Sequence, residues 1–272
     1  MNACYELPAK LQVARSFGRA AGTYDLYAKP QREFAERLVE SSVKILSGNG
    51  RVPGVILDLG SGTGYCSKLL REHYPGSVIM NLDIAEAMLM QARKQGDRDK
   101  ESWLCADAEC LPLKADSFDL VVSNLAIQWC PDLSELFGEL FRVMKPGGFT
   151  IINTLAENTL QELKQSWSSV DGHVHVNEFL TCDAIATTAR GLPFASVNVE
   201  SSHEVYFYSS LSMLTQELKG IGAQNQNRGR SEGLTGRTKL KKLKQEFESR
   251  AVPGKGVPVT YDLVTLKLVK PE

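Results

Sequence analysis

The apolar run Val55-Ile56-Leu57, followed at once by Asp58-Leu59-Gly60-Ser61-Gly62-Thr63-Gly64-Tyr65, constrains this chain more than any other stretch. A strand that ends in an acid and then three alternate glycines reads as a nucleotide-cofactor turn. The glycines permit positive φ and let backbone approach a ligand that any Cβ would push away. Amides at the start of the following helix can then face that ligand. The dinucleotide fingerprint Gly-x-Gly-x-x-Gly needs glycine at 65, where Tyr65 stands. The spacing therefore favours S-adenosylmethionine over a dinucleotide.

The segments downstream continue the pattern. Ser77-Val78-Ile79-Met80-Asn81-Leu82 predicts a second strand ending at Asp83, about twenty residues past the glycines, where an acid can accept from ribose hydroxyls. Asp107 follows the short apolar run Trp103–Ala106, and Ser117–Asn124 has a buried-strand pattern. A helix over 132–144 and the turn Lys145-Pro146-Gly147-Gly148 then lead into a strand at 149–154. Over roughly 50–155 this series resembles the class I S-adenosylmethionine-dependent methyltransferases.

Composition sets the remaining bounds. With 272 residues and 43% apolar content, the chain can bury the core of one α/β domain with elaborations. A net charge of −1 gives no global field toward nucleic acid or membrane. Met1–Phe17 lacks the apolar stretch of a signal peptide, and no run of about eighteen apolar residues marks a membrane span, so a cytoplasmic protein is expected. The six cysteines (4, 66, 105, 110, 130, 182) have no Cys-x-x-Cys spacing and read as buried free thiols. His173 and His175 have no cysteine placed to complete a ligand set, so no metal is expected.

Residues 9–22 and 28–47 read as helices, the second with Phe34, Ala35, Leu38, Val39, Val43 and Leu46 at helical spacing. From 54 to 154 strand and helix alternate five times, which predicts a parallel sheet with helices on both faces and a cofactor across its carboxyl edge. Further helices are expected at 158–170, 182–189, 210–220 and 236–249, with extended segments at 194–208 and 259–269. The expectation is one α/β methyltransferase domain with a Rossmann-like, mostly parallel sheet of about seven strands. Its parts are an N-terminal helical cap (1–50), a cofactor-binding core (51–155) and a substrate-side half (156–272). Within that half, a helical insertion over 209–250 is expected to set specificity.

After the fourth strand the chain reads Ser123-Asn124-Leu125-Ala126, not the Asn/Asp-Pro-Pro-aromatic motif of exocyclic-amine methyltransferases. Ile127-Gln128-Trp129-Cys130 follows, which places an amide and an indole at the carboxyl edge. Trp129 can equally be core. A buried Gln128 needs partners, and a ligand carboxylate is one candidate.

Three stretches narrow the resemblance. Phe17-Gly18-Arg19-Ala20-Ala21-Gly22-Thr23-Tyr24-Asp25, Ser123 to Cys130, and Leu218-Lys219-Gly220-Ile221-Gly222-Ala223 together look like the malonyl-acyl-carrier-protein O-methyltransferases of biotin synthesis. Ser61 and Thr63 occupy loop positions that vary in such enzymes. The resemblance implies methyl transfer from S-adenosylmethionine to the free carboxylate of malonyl-acyl carrier protein, with malonyl-coenzyme A a further possible substrate. Expected cofactor contacts are Asp58, Gly60, Ser61, Gly62, Gly64, Asp83, Ile84, Asp107, Ala108 and Asn124. Tyr24, Gln128 and Trp129 are the expected substrate-positioning set, with no general base. Arg142 or Lys219 is the expected cation near the malonyl group, although Arg142 reads equally as a solvated helix residue.

Acyl carrier proteins are acidic, and residues 228–250 carry eight basic side chains against Glu232, Glu246 and Glu248. Lys239, Lys241, Lys242 and Lys244, with arginine neighbours that include Arg228 and Arg230, could face such a partner. A solvated face that binds nothing is the plain alternative. RNA fits less well, because aromatics for base stacking are not interleaved. Two other readings stay open: a quinone-precursor C-methyltransferase on the same fold, and a scaffold that has lost its cofactor.

Overall fold

The computed structural model describes residues 10–223 and 236–272. Helices α1 (Lys10–Ala20), α2 (Tyr24–Tyr27) and α3 (Lys29–Gly48) precede the sheet. The core then runs β1 (Val55–Leu59), α4 (Tyr65–His73), β2 (Val78–Asp83), α5 (Glu86–Gln95), β3 (Glu101–Cys105), β4 (Phe118–Asn124), α6 (Leu133–Val143) and β5 (Met144–Leu155). The second half adds α7 (Gln161–Ser168), α8 (Cys182–Arg190), β6 (Ser196–Tyr208), α9 (Leu211–Gly220), α10 (Arg237–Glu248) and β7 (Val257–Val269). One seven-stranded sheet, in the order β3-β2-β1-β4-β5-β7-β6, runs through both halves. The first five strands are parallel, and β7 lies antiparallel between β5 and β6.

Strand parity decides which helices cover which face. Successive side chains point to opposite sides of a sheet. Ile56, Leu120, Val122 and Ile151 therefore pack with Leu38, Val39 and Leu70 of α3 and α4. Leu57, Leu59, Val121 and Ile152 pack instead with Phe137, Leu140 and Ile185 of α6 and α8. Each fully buried side chain of this kind stabilises the fold by roughly 1.5–3 kcal/mol. The chain order reverses between β1 and β4, so their carboxyl ends open a crevice at the switch point.

The same parity corrects the reading of Asp58. The strand runs on to Leu59, and Asp58 points down onto α4 rather than out of the carboxyl edge. It is 1% exposed, and Ser67 Oγ donates to its Oδ2 at 2.8 Å. Burial pushes its pKa up to about 7, against the pull of the Ser67 hydrogen bond.

Three further expectations change. Residues 106–117, between β3 and β4, contain no helix. The Lys145–Gly148 turn lies inside β5 as a bulge that shifts the register with β4. The described cysteines are free, but only Cys66 among them is buried; Cys105 and Cys110 are exposed. No described helix is long and apolar enough to cross a membrane.

Asp58 titrates near 7 when folded and near 3.8 as a free side chain, so the folded state holds the proton over that range. Its contribution is fullest below about pH 4 and falls as pH rises toward 7. Asp58→Asn should remove that fall. In urea titrations at pH 5 and pH 8, wild type should lose on the order of 1–3 kcal/mol more than the variant. Parallel losses in the two proteins would refute the assignment.

Candidate active site

Two cavities meet at the carboxyl edge of the sheet. The first holds about 790 Å³ including its mouth. Its walls come from the β1 turn (Gly60, Gly62), the end of β2 (Asp83, Ile84), the segment after β3 (Asp107, Ala108) and the end of β4 (Asn124). Helix α1 covers it with Lys10, Val13 and Phe17. Lys10 is paired with Asp107 and Glu109, which ties that cover to the segment after β3.

Backbone geometry explains the glycines. Gly60 has φ +70, and a Cβ there would sit 2.2 Å from the Cβ of Ala126, so the turns after β1 and β4 are in direct contact. Gly62 has φ +55, and a Cβ there would meet no protein atom within 4 Å, which leaves a hollow on the cavity wall. Gly62 N donates to Asp83 Oδ2 at 2.9 Å and Ala85 N donates to Oδ1 at 2.7 Å, so the Asp83 carboxylate holds the turn in place. Burial raises the Asp83 pKa, and these backbone bonds oppose the rise.

The second cavity is larger, about 1750 Å³ including its mouth, and lies between the β4 turn, α7 and the inserted helices. Phe17, Tyr24, Leu125 and Trp129 line both cavities and form their common wall. Phe17 meets Trp129 edge to face at 5.4 Å. Burial, and then the Asp83 carboxylate, push the Tyr24 phenol pKa up, so Tyr24 keeps its proton at neutral pH. Leu125 adopts left-handed backbone with φ 53, a conformation that costs a non-glycine residue about 1–3 kcal/mol. Its N–H donates to the Asn153 carbonyl at 2.9 Å, which holds the strained residue at the junction.

A methyltransferase-domain family model matches residues 57–152, the stretch that carries these turns. The malonyl-[acyl-carrier protein] O-methyltransferase of Methylovorus sp. is 39% identical over 281 residues, covering 100% of this chain and 93% of that protein. The chain belongs to the malonyl-acyl-carrier-protein O-methyltransferase family. Biotin biosynthesis bifunctional protein BioHC of Teredinibacter turnerae is 37% identical over 96% of this chain. The chain spans about half of such bifunctional relatives, 47% in that case. Among solved structures, the YcgJ protein of Bacillus subtilis superposes with a TM-score of 0.60 at 14% identity, covering 87% of this chain and 99% of that one. That likeness is one of fold alone.

Within this family member, seven of the ten expected cofactor contacts line the first cavity: Gly60, Gly62, Asp83, Ile84, Asp107, Ala108 and Asn124. Asp58, Ser61 and Gly64 do not. Gly64 is the N-cap of α4, and the Ser61 hydroxyl is buried without a partner. Tyr24 and Trp129 stand on the common wall, and Gln128 lines the second cavity. The Gln128 amide is taken up by protein, since Nε2 donates to the Leu125 carbonyl at 2.8 Å and Thr154 Oγ1 donates to Oε1 at 3.2 Å.

Lys219 is exposed on the wall of the second cavity. Arg142 is at neither cavity. It forms a bidentate pair with Glu139 and donates to the carbonyls of Leu111 and Leu113, clamping α6 to the segment before β4. Its expected role near the malonyl group is therefore set aside.

Sequence reasoning missed the cover provided by Lys10 and Val13, and also Gln31. The signal for Gln31 was present, because it falls on the buried stripe of α3 with Phe34, Ala35 and Leu38.

Filling the hollow at position 62 gives a direct test. Gly62→Val should lower S-adenosylmethionine affinity at least tenfold by calorimetry, and Gly62→Ala should lower it less. The left-handed backbone adds roughly 1–2 kcal/mol of strain in both variants, which thermal melting measures separately. Unchanged affinity in the valine variant would rule out this wall as the cofactor cradle.

Proposed function

We propose that this chain is a cytoplasmic, S-adenosylmethionine-dependent carboxyl O-methyltransferase that converts the free carboxylate of malonyl-acyl carrier protein to its methyl ester in biotin synthesis. The observation that carries this reading is the pair of cavities joined at Phe17, Tyr24, Leu125 and Trp129. Family membership supplies the substrate class, since relatives that match this chain along most of their length bear the name malonyl-[acyl-carrier protein] O-methyltransferase. Malonyl-coenzyme A presents the same acyl thioester and is the second substrate to test.

The first cavity suits the cofactor. Gly62 leaves a hollow, Asp83 stands where a ribose acceptor is expected, and carboxylates of Asp83 and Asp107 face a ligand that carries positive charge. When bound, S-adenosylmethionine supplies a methyl group activated on its sulfonium. Gly60, Gly62, Asp83, Ile84, Ala108 and Asn124 would hold it.

The common wall supports chemistry that needs no base. A malonyl carboxyl has a pKa of roughly 4 and is an anion at neutral pH, so no proton has to leave. Phe17, Tyr24 and Trp129 give the junction an aromatic wall, and a carboxylate that lost hydration against it would attack more readily. Holding the attacking oxygen in line can supply roughly 7–11 kcal/mol of the barrier. Methylation of a carbon, as in quinone precursors, would need a base. One observation favours that second reading: His175 lines the second cavity, with its Nε2 2.7 Å from Asp171 Oδ1.

A pH profile separates the two. For carboxylate methylation, single-turnover rates at saturating substrate should be flat from about pH 6 to 9. An ascending limb that disappears in His175→Phe would move the assignment to a base-dependent reaction.

The carrier protein would dock at α10. Leu243 and Phe247 bury the inner face of this helix, while Leu240 is 51% exposed at the rim of the second cavity. Lys239 is paired with Asp171, and Lys244 lies 4.0 Å from Glu248. Lys241 and Lys242 are exposed and carry no ion pair among the described residues. Arg228, Arg230 and Glu232 lie outside those residues. Lys241→Glu with Lys242→Glu should raise KM for malonyl-acyl carrier protein several-fold at low salt, mainly through association, and leave malonyl-coenzyme A kinetics much less affected. Unchanged carrier-protein kinetics would show α10 to be a solvated face only.

A further inference from the structure

The side chain of Gln31 lies on the wall of the second cavity and is only 8% exposed, yet its amide makes no hydrogen bond among the described residues, with Oε1 enclosed and unpartnered. Buried polar groups are almost always paired, so a side-chain amide on a cavity wall with no hydrogen-bond partner at either end calls for a ligand. We infer that the Gln31 amide is the group that recognises the substrate's carboxylate, a reading that rests on the function proposed above.

Gln31 is held firmly where it stands. It follows Pro30 in the first turn of α3, and its own carbonyl accepts from Asn124 Nδ2 at 2.9 Å. One turn later the Phe34 carbonyl accepts from Asn153 Nδ2 at 3.2 Å. The start of α3 is thereby tied to the carboxyl ends of β4 and β5, next to the common wall. Oε1 is the enclosed end of this amide, and Nε2, which makes no hydrogen bond among the described residues, is the donor a ligand in the cavity would meet.

Chemistry favours an amide over the other polar groups on this cavity. Gln128 already has protein partners at both ends of its amide. Lys219 is exposed, and a cation against the nucleophile would stabilise the anion that has to react. A neutral donor can hold one carboxylate oxygen and leave the other free to attack. Once methyl has been transferred, the carbonyl oxygen of the uncharged ester is still an acceptor for the same N–H. The site then neither over-binds the anion nor expels the product.

The test compares two thioesters on the same carrier protein, malonyl as substrate and acetyl, which lacks the carboxylate, as competitive inhibitor. With Gln31→Leu, KM for malonyl-carrier protein should rise roughly tenfold to hundredfold, the range for hydrogen bonds to a charged group. The inhibition constant of acetyl-carrier protein should stay within about twofold, and S-adenosylmethionine affinity should not change. Gln31→Met is the second near-isostere should the leucine variant fail to bind cofactor, and Gln31→Glu should be worse than either because it opposes like charges. An unchanged malonyl KM, or equal weakening of malonyl and acetyl thioesters, overturns the inference. Wild-type turnover of malonyl-carrier protein belongs to the functional reading. Its absence removes both proposals, whereas its presence with unaffected variants removes only this one.

Discussion

The contact on which the rest of the site depends is the approach of Gly60 to Ala126. No side chain larger than hydrogen fits at position 60, because the turn leaving β1 and the turn leaving β4 touch at that point. With those turns pressed together, the crevice between the two strands divides in two. One part lies under Gly62 and Asp83, the other beside Gln128 and Gln31. Leu125 bears the local cost, held in left-handed backbone at the dividing wall by its bond to Asn153. The strain sits where two binding spaces abut, and the β4–β5 ladder holds it in place.

Most of the fold was legible because its signals are local. Apolar runs marked the strands, alternate glycines marked the turn, and the 3.6-residue stripe marked α3. The roles of individual polar side chains were less legible, because they depend on which way a residue points. Asp58 was read as ending its strand; one residue more of strand turned it onto α4 and Ser67. Arg142 looked like a free cation, but Glu139, three residues earlier on the same helix, holds it in a clamp. Gln128 lines the second cavity, and both ends of its amide are taken up by Leu125 and Thr154. Gln31 is marked only by its place on the buried stripe of α3, a signal of burial that carries no motif for function.

The insertion shows the same division. The pattern of Leu243 and Phe247 was enough to place α10 against the core, and both are buried with Leu214 and Val259. Which lysines stay free is a tertiary matter. Asp171 comes from the segment after α7, sixty-eight residues before Lys239, and no local pattern announces that they pair. Charge counting along 228–250 therefore overstates the field a partner would meet, since part of it is already neutralised within the molecule.

Because Phe17, Tyr24, Leu125 and Trp129 form a wall common to both cavities, ligands on its two sides would press on the same four side chains. Any coupling between two such ligands would be the same whichever arrived first. A change at any of the four would reshape both cavities at once, whereas residues such as Leu163 and Leu211 touch the second alone.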